Sequence, residues 1–161
     1  MSEPKKKKTS LPANFKFTDL TQRPPRSPRV QLGGYVTLPR LIDKGRAHLA
    51  GKAGEYIYNS GLDKRFFSFV KVDASTFLQQ IATGKGDAAL LAWLQENAGY
   101  KPSDWEIAQW SEFSLKRTPS ILRAREHYLQ EHKRLGPDRA DLATNFDFLD
   151  LDDYVSFGGN P

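Results

Sequence analysis

The 161-residue sequence contains no cysteine. A disulfide framework, a thiolate zinc site and a cysteine nucleophile are therefore all excluded. Histidine is scarce, with three residues, and the HExxH pattern of helical zinc sites is missing. His127 and His132 lie five positions apart, which separates them by more than a quarter turn on a helix. We therefore predict no metal site.

Long apolar runs are missing as well. No stretch approaches the ~20 apolar residues that a helix needs to cross a bilayer. The lysine run at residues 5–8 is followed by no apolar segment that would make it a secretory signal. We expect a cytoplasmic protein that does not enter a membrane. A hydrophobic fraction of 39% with 12% aromatic residues suits one globular domain with a proper core.

The signatures of the common catalytic and nucleotide sites are also missing. Residues 45–53, GRAHLAGKA, have five residues between their glycines and no Ser or Thr after Lys52, so they do not form a phosphate-binding loop. Gly33 and Gly34 lack the third glycine of a dinucleotide fingerprint. No GxSxG elbow occurs. The sequence thus assigns no reaction, and the cofactor is unknown.

Charge is unevenly distributed within a net charge of +5. Residues 20–65 carry nine Lys and Arg against three acids, whereas residues 138–161 carry one Arg against six Asp. The basic excess suits an anionic partner such as a phosphate, a carboxylate or a nucleic acid. Alternatively, the acidic segment folds back onto the basic half of the same molecule. Both interpretations stay open at this point.

The hydrophobic patterns predict a mainly α protein, a compact bundle of five to six helices with at most a small two-stranded β element near the N-terminus. Residues 1–19 are expected to form a disordered basic tail, and residues 20–161 a single helical domain with an acidic C-terminal segment. Val30–Val36 and residues 54–59 are the candidates for short strands or extended loops. Ser103 and Glu106 form a capping box that opens a helix over 104–116. This helix is apolar around much of its circumference, which predicts that it is the most enclosed helix.

The stretch 26–58 holds the densest set of unusual residues. Pro39 and Gly51 bound a helix over residues 39–50. Its inward stripe consists of apolar residues at helical spacing: Leu38, Leu41, Ile42, Gly45 and Leu49. Arg40, Asp43 and Lys44 fall on the opposite side, which we expect to face solvent unless another segment covers it.

Arginine gives the strongest functional signal. Arg26 and Arg29 lie on a stiff proline-rich segment, residues 23–29, which we call the proline-rich strap. Arg46 borders the apolar stripe, and Arg125 falls on the apolar face of a later helix. An inward-facing arginine needs a paired acid or an anionic ligand, because an unpaired buried charge is costly. Internal pairing with acids such as Glu55, or an anion pocket, would each satisfy this need. The candidate ligand-binding set is Arg26, Arg29, Arg46, Glu55, Tyr56 and Arg125.

The leading hypothesis is a domain that binds a small phosphate- or carboxylate-bearing ligand in an arginine-lined pocket. No spacing identifies catalytic residues, and His48, Asp43 and Glu55 are the candidates for acid–base chemistry if a reaction occurs. The alternative is a non-enzymatic protein-interaction or structural module that uses the Lys-rich tail or the acidic, aromatic C-terminus. Nucleic-acid binding ranks third, because no recognisable binding module is present.

A series of short motifs resembles a bacterial family known only as a domain of unknown function. The motifs are PRSPR at 25–29, LGG at 32–34, LPR at 38–40, DK at 43–44, RA at 46–47, LAG at 49–51 and GEY at 54–56. A Leu-Asp pair at 62–63 extends the resemblance, which covers most of residues 20–155. It implies a bacterial, single-domain, largely helical protein and supplies no activity or catalytic residue.

Overall fold

The computed structural model describes residues 10–161, and within them it contains seven α-helices and one two-stranded hairpin. The elements in chain order are β1 (Gln31–Leu32), β2 (Tyr35–Val36), α1 (Leu38–Leu49), α2 (Gly61–Val70), α3 (Ala74–Ala82), α4 (Asp87–Asn97), α5 (Asp104–Lys116), α6 (Leu122–Leu135) and α7 (Asn145–Ser156). The predicted mainly α class is confirmed, with one helix more than the upper expectation. Part of the expected basic tail, residues 1–9, lies outside the described residues. Phe15, in the remainder of that segment, packs against the core.

The hairpin β1–β2 is antiparallel, in the register Gln31–Val36 and Leu32–Tyr35. Gly33 and Gly34 form its turn with φ angles of 59° and 82°. This left-handed conformation is accessible to glycine because it has no Cβ. The β element near the N-terminus is therefore confirmed. Residues 54–59, the other candidate strand, form turns.

Helix α1 runs through the centre of the molecule. Leu38, Leu41 and Ile42 are fully buried, as the helical spacing predicted. Gly45 brings α1 close to α3, because a Cβ at this position would lie 2.6 Å from Cδ1 of Ile81. The rest of this core comes mainly from aromatic and branched residues of α2, α3, α4 and the hairpin, including Tyr35, Phe66, Phe67, Val70, Phe77 and Leu90.

The expected solvent-facing side of α1 is buried too. Arg40, Asp43 and Lys44 are only 4%, 6% and 4% exposed. Three segments that are distant in sequence cover them: the proline-rich strap, the turns before α2, and α7. Helical spacing correctly placed these three charged residues on one side of α1. It does not show which other segments pack against that side.

The expectation that α5 is the most enclosed helix was wrong. Trp105 is 70% exposed and Phe113 is 64% exposed, whereas Ile107 and Ser111 are the only buried residues of this helix. Arg125, expected on an inner face of α6, is exposed as well. These two helices lie at the edge of the fold, so their apolar circumference is only partly covered.

Much of the acidic C-terminal segment forms a helix of 12 residues, α7. A capping box between Thr144 and Asp147 opens it. Phe148 and Leu151 pack with Leu135 of α6 in a small second core. No helix in the part of the chain that the structure describes is long and apolar enough to span a bilayer.

Candidate functional site

A bidentate ion pair joins α1 to α7. Nη1 and Nη2 of Arg40 donate to the two carboxylate oxygens of Asp153, at 2.6 and 3.1 Å. The two side chains are 5% and 9% exposed. Tyr56 donates its hydroxyl to Oδ1 of the same carboxylate at 2.7 Å, and its ring centroid lies 5.5 Å from Cζ of Arg40. Burial, followed by the hydrogen bond to Asp153, raises the pKa of the Tyr56 phenol.

A second buried pair lies one turn further along α1. Nζ of Lys44 is 2.8 and 2.7 Å from the two oxygens of Asp63, which is 1% exposed. Lys44 also donates to the Ile57 carbonyl and to Oγ of Ser60. Burial lowers the pKa of the Lys44 ammonium, and the charge of Asp63 opposes this effect. Since these partners occupy every ammonium proton, Lys44 acts as a fixed structural charge.

Asp63 also has a local role at the start of α2, where Ser60 occupies the N-cap position. Asp63 lies three residues on and accepts a hydrogen bond from the Ser60 backbone N–H at 3.1 Å. One carboxylate thus completes the capping box and neutralises Lys44 of a neighbouring helix.

The third charge of α1 begins a chain of alternating charges. Asp43 accepts three hydrogen bonds from Arg26, from its backbone N–H, Nε and Nη2, at 2.7 to 3.0 Å. Nη1 of Arg26 donates to Oδ2 of Asp87 at 2.6 Å. Arg46 lies 3.0 Å from the other oxygen of Asp87, in an ion pair that lacks good hydrogen-bond geometry. These contacts fix the proline-rich strap and the start of α4 onto α1.

An open cleft of about 590 Å³ lies beside the Arg40 pair. Its polar lining includes Arg40, Glu55 and Tyr56, with Ser60 and Asp152 nearby. Apolar side chains form the rest of its walls: Leu20, Ile57, Leu62, Leu149 and Phe157. The volume falls in the range of small-molecule sites, roughly 300–1,000 Å³.

Arg40 retains hydrogen-bonding capacity toward a ligand. Asp153 and the Arg26 carbonyl occupy both protons of Nη1 and one of Nη2. Nε and the second proton of Nη2 make no hydrogen bond to any described residue. These two N–H groups form the side-on fork of the guanidinium, which matches the two oxygens of a carboxylate or phosphate.

The four predicted ligand-binding arginines do not meet in one cavity. Arg29 pairs with Asp147, and with Asp150 at 3.0 Å. Arg26 and Arg46 meet at Asp87, and none of these three residues lines this cleft. Exposed Arg125 donates to the Pro119 carbonyl at 3.3 Å. Only Glu55 and Tyr56 of the predicted ligand-binding set line the cleft. The interpretation that the acidic C-terminus pairs with the basic half within the molecule is confirmed by the contacts of Arg29 and Arg40.

The three acid–base candidates are also dispersed. Asp43 is buried against Arg26. His48 stacks on Tyr58, with ring centroids 6.3 Å apart. Glu55 is exposed on the rim of the cleft and makes no side-chain hydrogen bond to a described residue.

Sequence reasoning missed the residues that shape the cleft. Arg40 and Lys44 were expected to face solvent, and Asp153 was not distinguished from the other acids of the C-terminal segment. One local signal was available, because Arg40, Asp43 and Lys44 follow one another at intervals of three and one on a single helix side. Mixed charges on one side are equally typical of a solvated face, so this signal does not by itself reveal burial.

A family model described as a domain of unknown function (DUF5069) matches residues 22–155. The match spans the strap, all seven helices except the last residue of α7, and every member of the buried charge network. A comparison with curated proteins finds no match.

Proposed function

We propose that this chain, which belongs to the DUF5069 family, binds a small organic anion, a carboxylate or a phosphate, in the cleft beside Arg40. The observation that carries the proposal is Arg40, which lines the cleft, has its end-on fork fixed by Asp153 and has no partner among the described residues for its side-on N–H groups. Asp153 and the Tyr56 ring hold the guanidinium in place. Such pre-organisation lowers the entropic cost of binding.

The charge of the surroundings narrows the ligand class. Glu55 and Asp152 line the same cleft, and their negative charges would repel a highly charged anion. A ligand with one anionic group and a hydrogen-bond donor or ammonium group a few ångströms away would contact Arg40 and Glu55 together. The apolar walls then suit a short carbon skeleton.

A thermal-shift and calorimetry panel tests this proposal. Suitable probes are inorganic phosphate, glycerol phosphate, lactate, benzoate and glutamate. A ligand present at 100 times its Kd adds about 2.7 kcal/mol to the free energy of unfolding. We expect stabilisation by monocarboxylates or phosphate monoesters and none by matched neutral alcohols.

Two matched tryptophan variants locate the binding. Ser156→Trp places a bulky ring on the cleft wall, and Ser68→Trp makes the same change on the exposed side of α2, away from this cleft. Binding should be lost in the first variant and kept in the second. Equal binding by both, or stabilisation by no member of the panel, would overturn the proposal.

A further inference from the structure

A second cleft lies between α2, α5, α6 and α7, separate from the anion cleft beside Arg40. Its volume is about 610 Å³. Large apolar side chains form most of its wall: Trp110, Phe113, Leu135, Phe146, Phe148 and Leu149. Leu62, Leu149 and Asp152 line both clefts, so the two clefts are neighbours.

Two arginines, Arg65 of α2 and Arg117 at the end of α5, line this apolar cleft. Neither forms an ion pair or a side-chain hydrogen bond with another described residue. Six arginines of the described chain have a carboxylate partner: Arg26, Arg29, Arg40, Arg46, Arg134 and Arg139. Arg23, Arg123 and Arg125 lack one as well, but they are exposed and do not line this cleft. Exposed Arg65 and half-buried Arg117 differ from these because they lie together on one apolar cleft.

The surroundings of Arg117 do not neutralise it. It is half-buried, and burial together with the charge of Arg65 lowers the pKa of its guanidinium. The carbonyl end of α5 offers partial compensation for one cation. Arg65 lies within α2 and has no such partner. The two like charges thus lack an anion between them.

The acids of the cleft are already engaged. Glu131 and Asp152 both line it, and Arg134 pairs with both of them from outside. They are therefore weak competitors for Arg65 and Arg117. The cleft presents two unpaired cations next to an apolar wall, which is the complement of an amphipathic anion.

We propose that this cleft binds an alkyl-chain anion, with the chain on the wall formed by Trp110, Phe146 and Phe148 and the head group between Arg65 and Arg117. A carboxylate and a phosphate share the chemistry that the guanidinium groups recognise. The experiment distinguishes an alkyl carboxylate from an alkyl phosphate as the ligand.

Titration of the intact chain with short alkyl ligands tests the proposal, with intrinsic tryptophan fluorescence as the readout, to which Trp110 on the cleft wall contributes. The panel consists of hexanoate, octanoate, octyl phosphate, octanol and octylamine. Each added methylene that is buried should strengthen binding by about fourfold. Octanoate should therefore bind about 15-fold more tightly than hexanoate, and both octyl anions should bind more tightly than octanol or octylamine. Octanoate alone would identify a carboxylate site, and octyl phosphate alone a phosphate site.

A charge-matched pair of double variants isolates the arginines. Arg65→Gln with Arg117→Gln should weaken octanoate binding at least about tenfold. Arg23→Gln with Arg123→Gln removes the same charge from exposed positions without ion pairs and should leave binding unchanged. The proposal is overturned if octanol binds as tightly as octanoate, if chain length has no effect, if no probe binds, or if both double variants behave alike. Calorimetry with Ser156→Trp checks that the site is not the first cleft, since that variant should retain octanoate binding.

Discussion

The Arg40 guanidinium and the Asp153 carboxylate, separated by 113 positions in the sequence, form a bidentate pair in the interior. This contact connects the central helix to the last helix and leaves the side-on N–H groups of Arg40, a residue that lines the proposed anion cleft, without a partner among the described residues. The pair links stability to the candidate site, because the acid that neutralises the arginine also fixes its orientation.

Removing the charge of Asp153 should destabilise the fold. Asp153→Asn leaves a buried Arg40 without its counter-ion and weakens the acceptor of the Tyr56 hydroxyl. We expect a loss of about 3–5 kcal/mol in the free energy of unfolding, measured by urea denaturation. The control is Asp152→Asn on the adjacent, more exposed position, whose pair with Arg134 should contribute no more than about 1 kcal/mol. Similar effects of the two variants would contradict the interpretation.

Lys44 and Asp63 should show strong energetic coupling. Lys44→Met leaves the almost fully buried Asp63 carboxylate without its counter-ion. It should lower the free energy of unfolding by about 3–5 kcal/mol. Asp63→Asn in the same chain removes that carboxylate while retaining a side-chain oxygen for the α2 cap. The double variant should therefore be less destabilised than the sum of the two single variants. Lys64→Met, at an exposed position of α2, is the matched control for the loss of a lysine. Additive effects in the cycle would show that the pair is not coupled.

Asp87 should contribute to the acid sensitivity of the protein. Burial favours a raised pKa for its carboxyl, but the hydrogen bond and charge of Arg26, together with the charge of Arg46, lower it below the ordinary value. The stabilisation is therefore present above the unfolded pKa of about 3.9 and is lost as the pH falls through the lower folded value. Asp87→Asn should reduce the free energy of unfolding by up to about 1 kcal/mol at neutral pH. The difference from wild type should begin to shrink near pH 4 and should vanish only below the lowered folded pKa.

Asp104→Asn is the matched control for the Asp87 variant. Asp104 begins α5 as Asp87 begins α4, but it is exposed and forms no ion pair with a described residue. Chemical denaturation across a pH series measures both variants. The same pH-dependent loss in the two would assign the effect to the helix terminus rather than to the arginines.

Gly45 should resist replacement despite its position inside a helix. Glycine to alanine in a helix usually stabilises by about 1 kcal/mol. At Gly45 the new methyl group would lie 2.6 Å from Ile81 Cδ1 and 3.2 Å from the Tyr58 ring. We expect Gly45→Ala to destabilise by about 1 kcal/mol net, since overpacking exceeds the gain in propensity. Gly61→Ala, where a Cβ meets nothing within 4 Å, should be neutral or stabilising by thermal denaturation.

Much of the local structure followed from the sequence. The Ser103–Glu106 capping box and the apolar stripe of α1 were predicted from spacing and were found in place. The small β element was predicted as well, but its turn at Gly33–Gly34 was not. These features depend on backbone geometry and on neighbours within a few positions. The same reasoning gave wrong exposures for Trp105 and Phe113, because a helical wheel does not show which faces another segment covers.

The amino-acid sequence alone specified a mainly helical chain, its principal caps, and an arginine-rich segment that requires anionic partners. The tertiary structure assigned the acids to the arginines of that segment: Asp43 and Asp87 to Arg26, Asp87 to Arg46, Asp147 and Asp150 to Arg29, and Asp153 to Arg40. It also placed Arg40 on one cleft, and Arg65 and Arg117, which have no acid partner among the described residues, on another. Pairing between charges depends on distances between segments far apart in the chain, and a linear pattern contains no such distances.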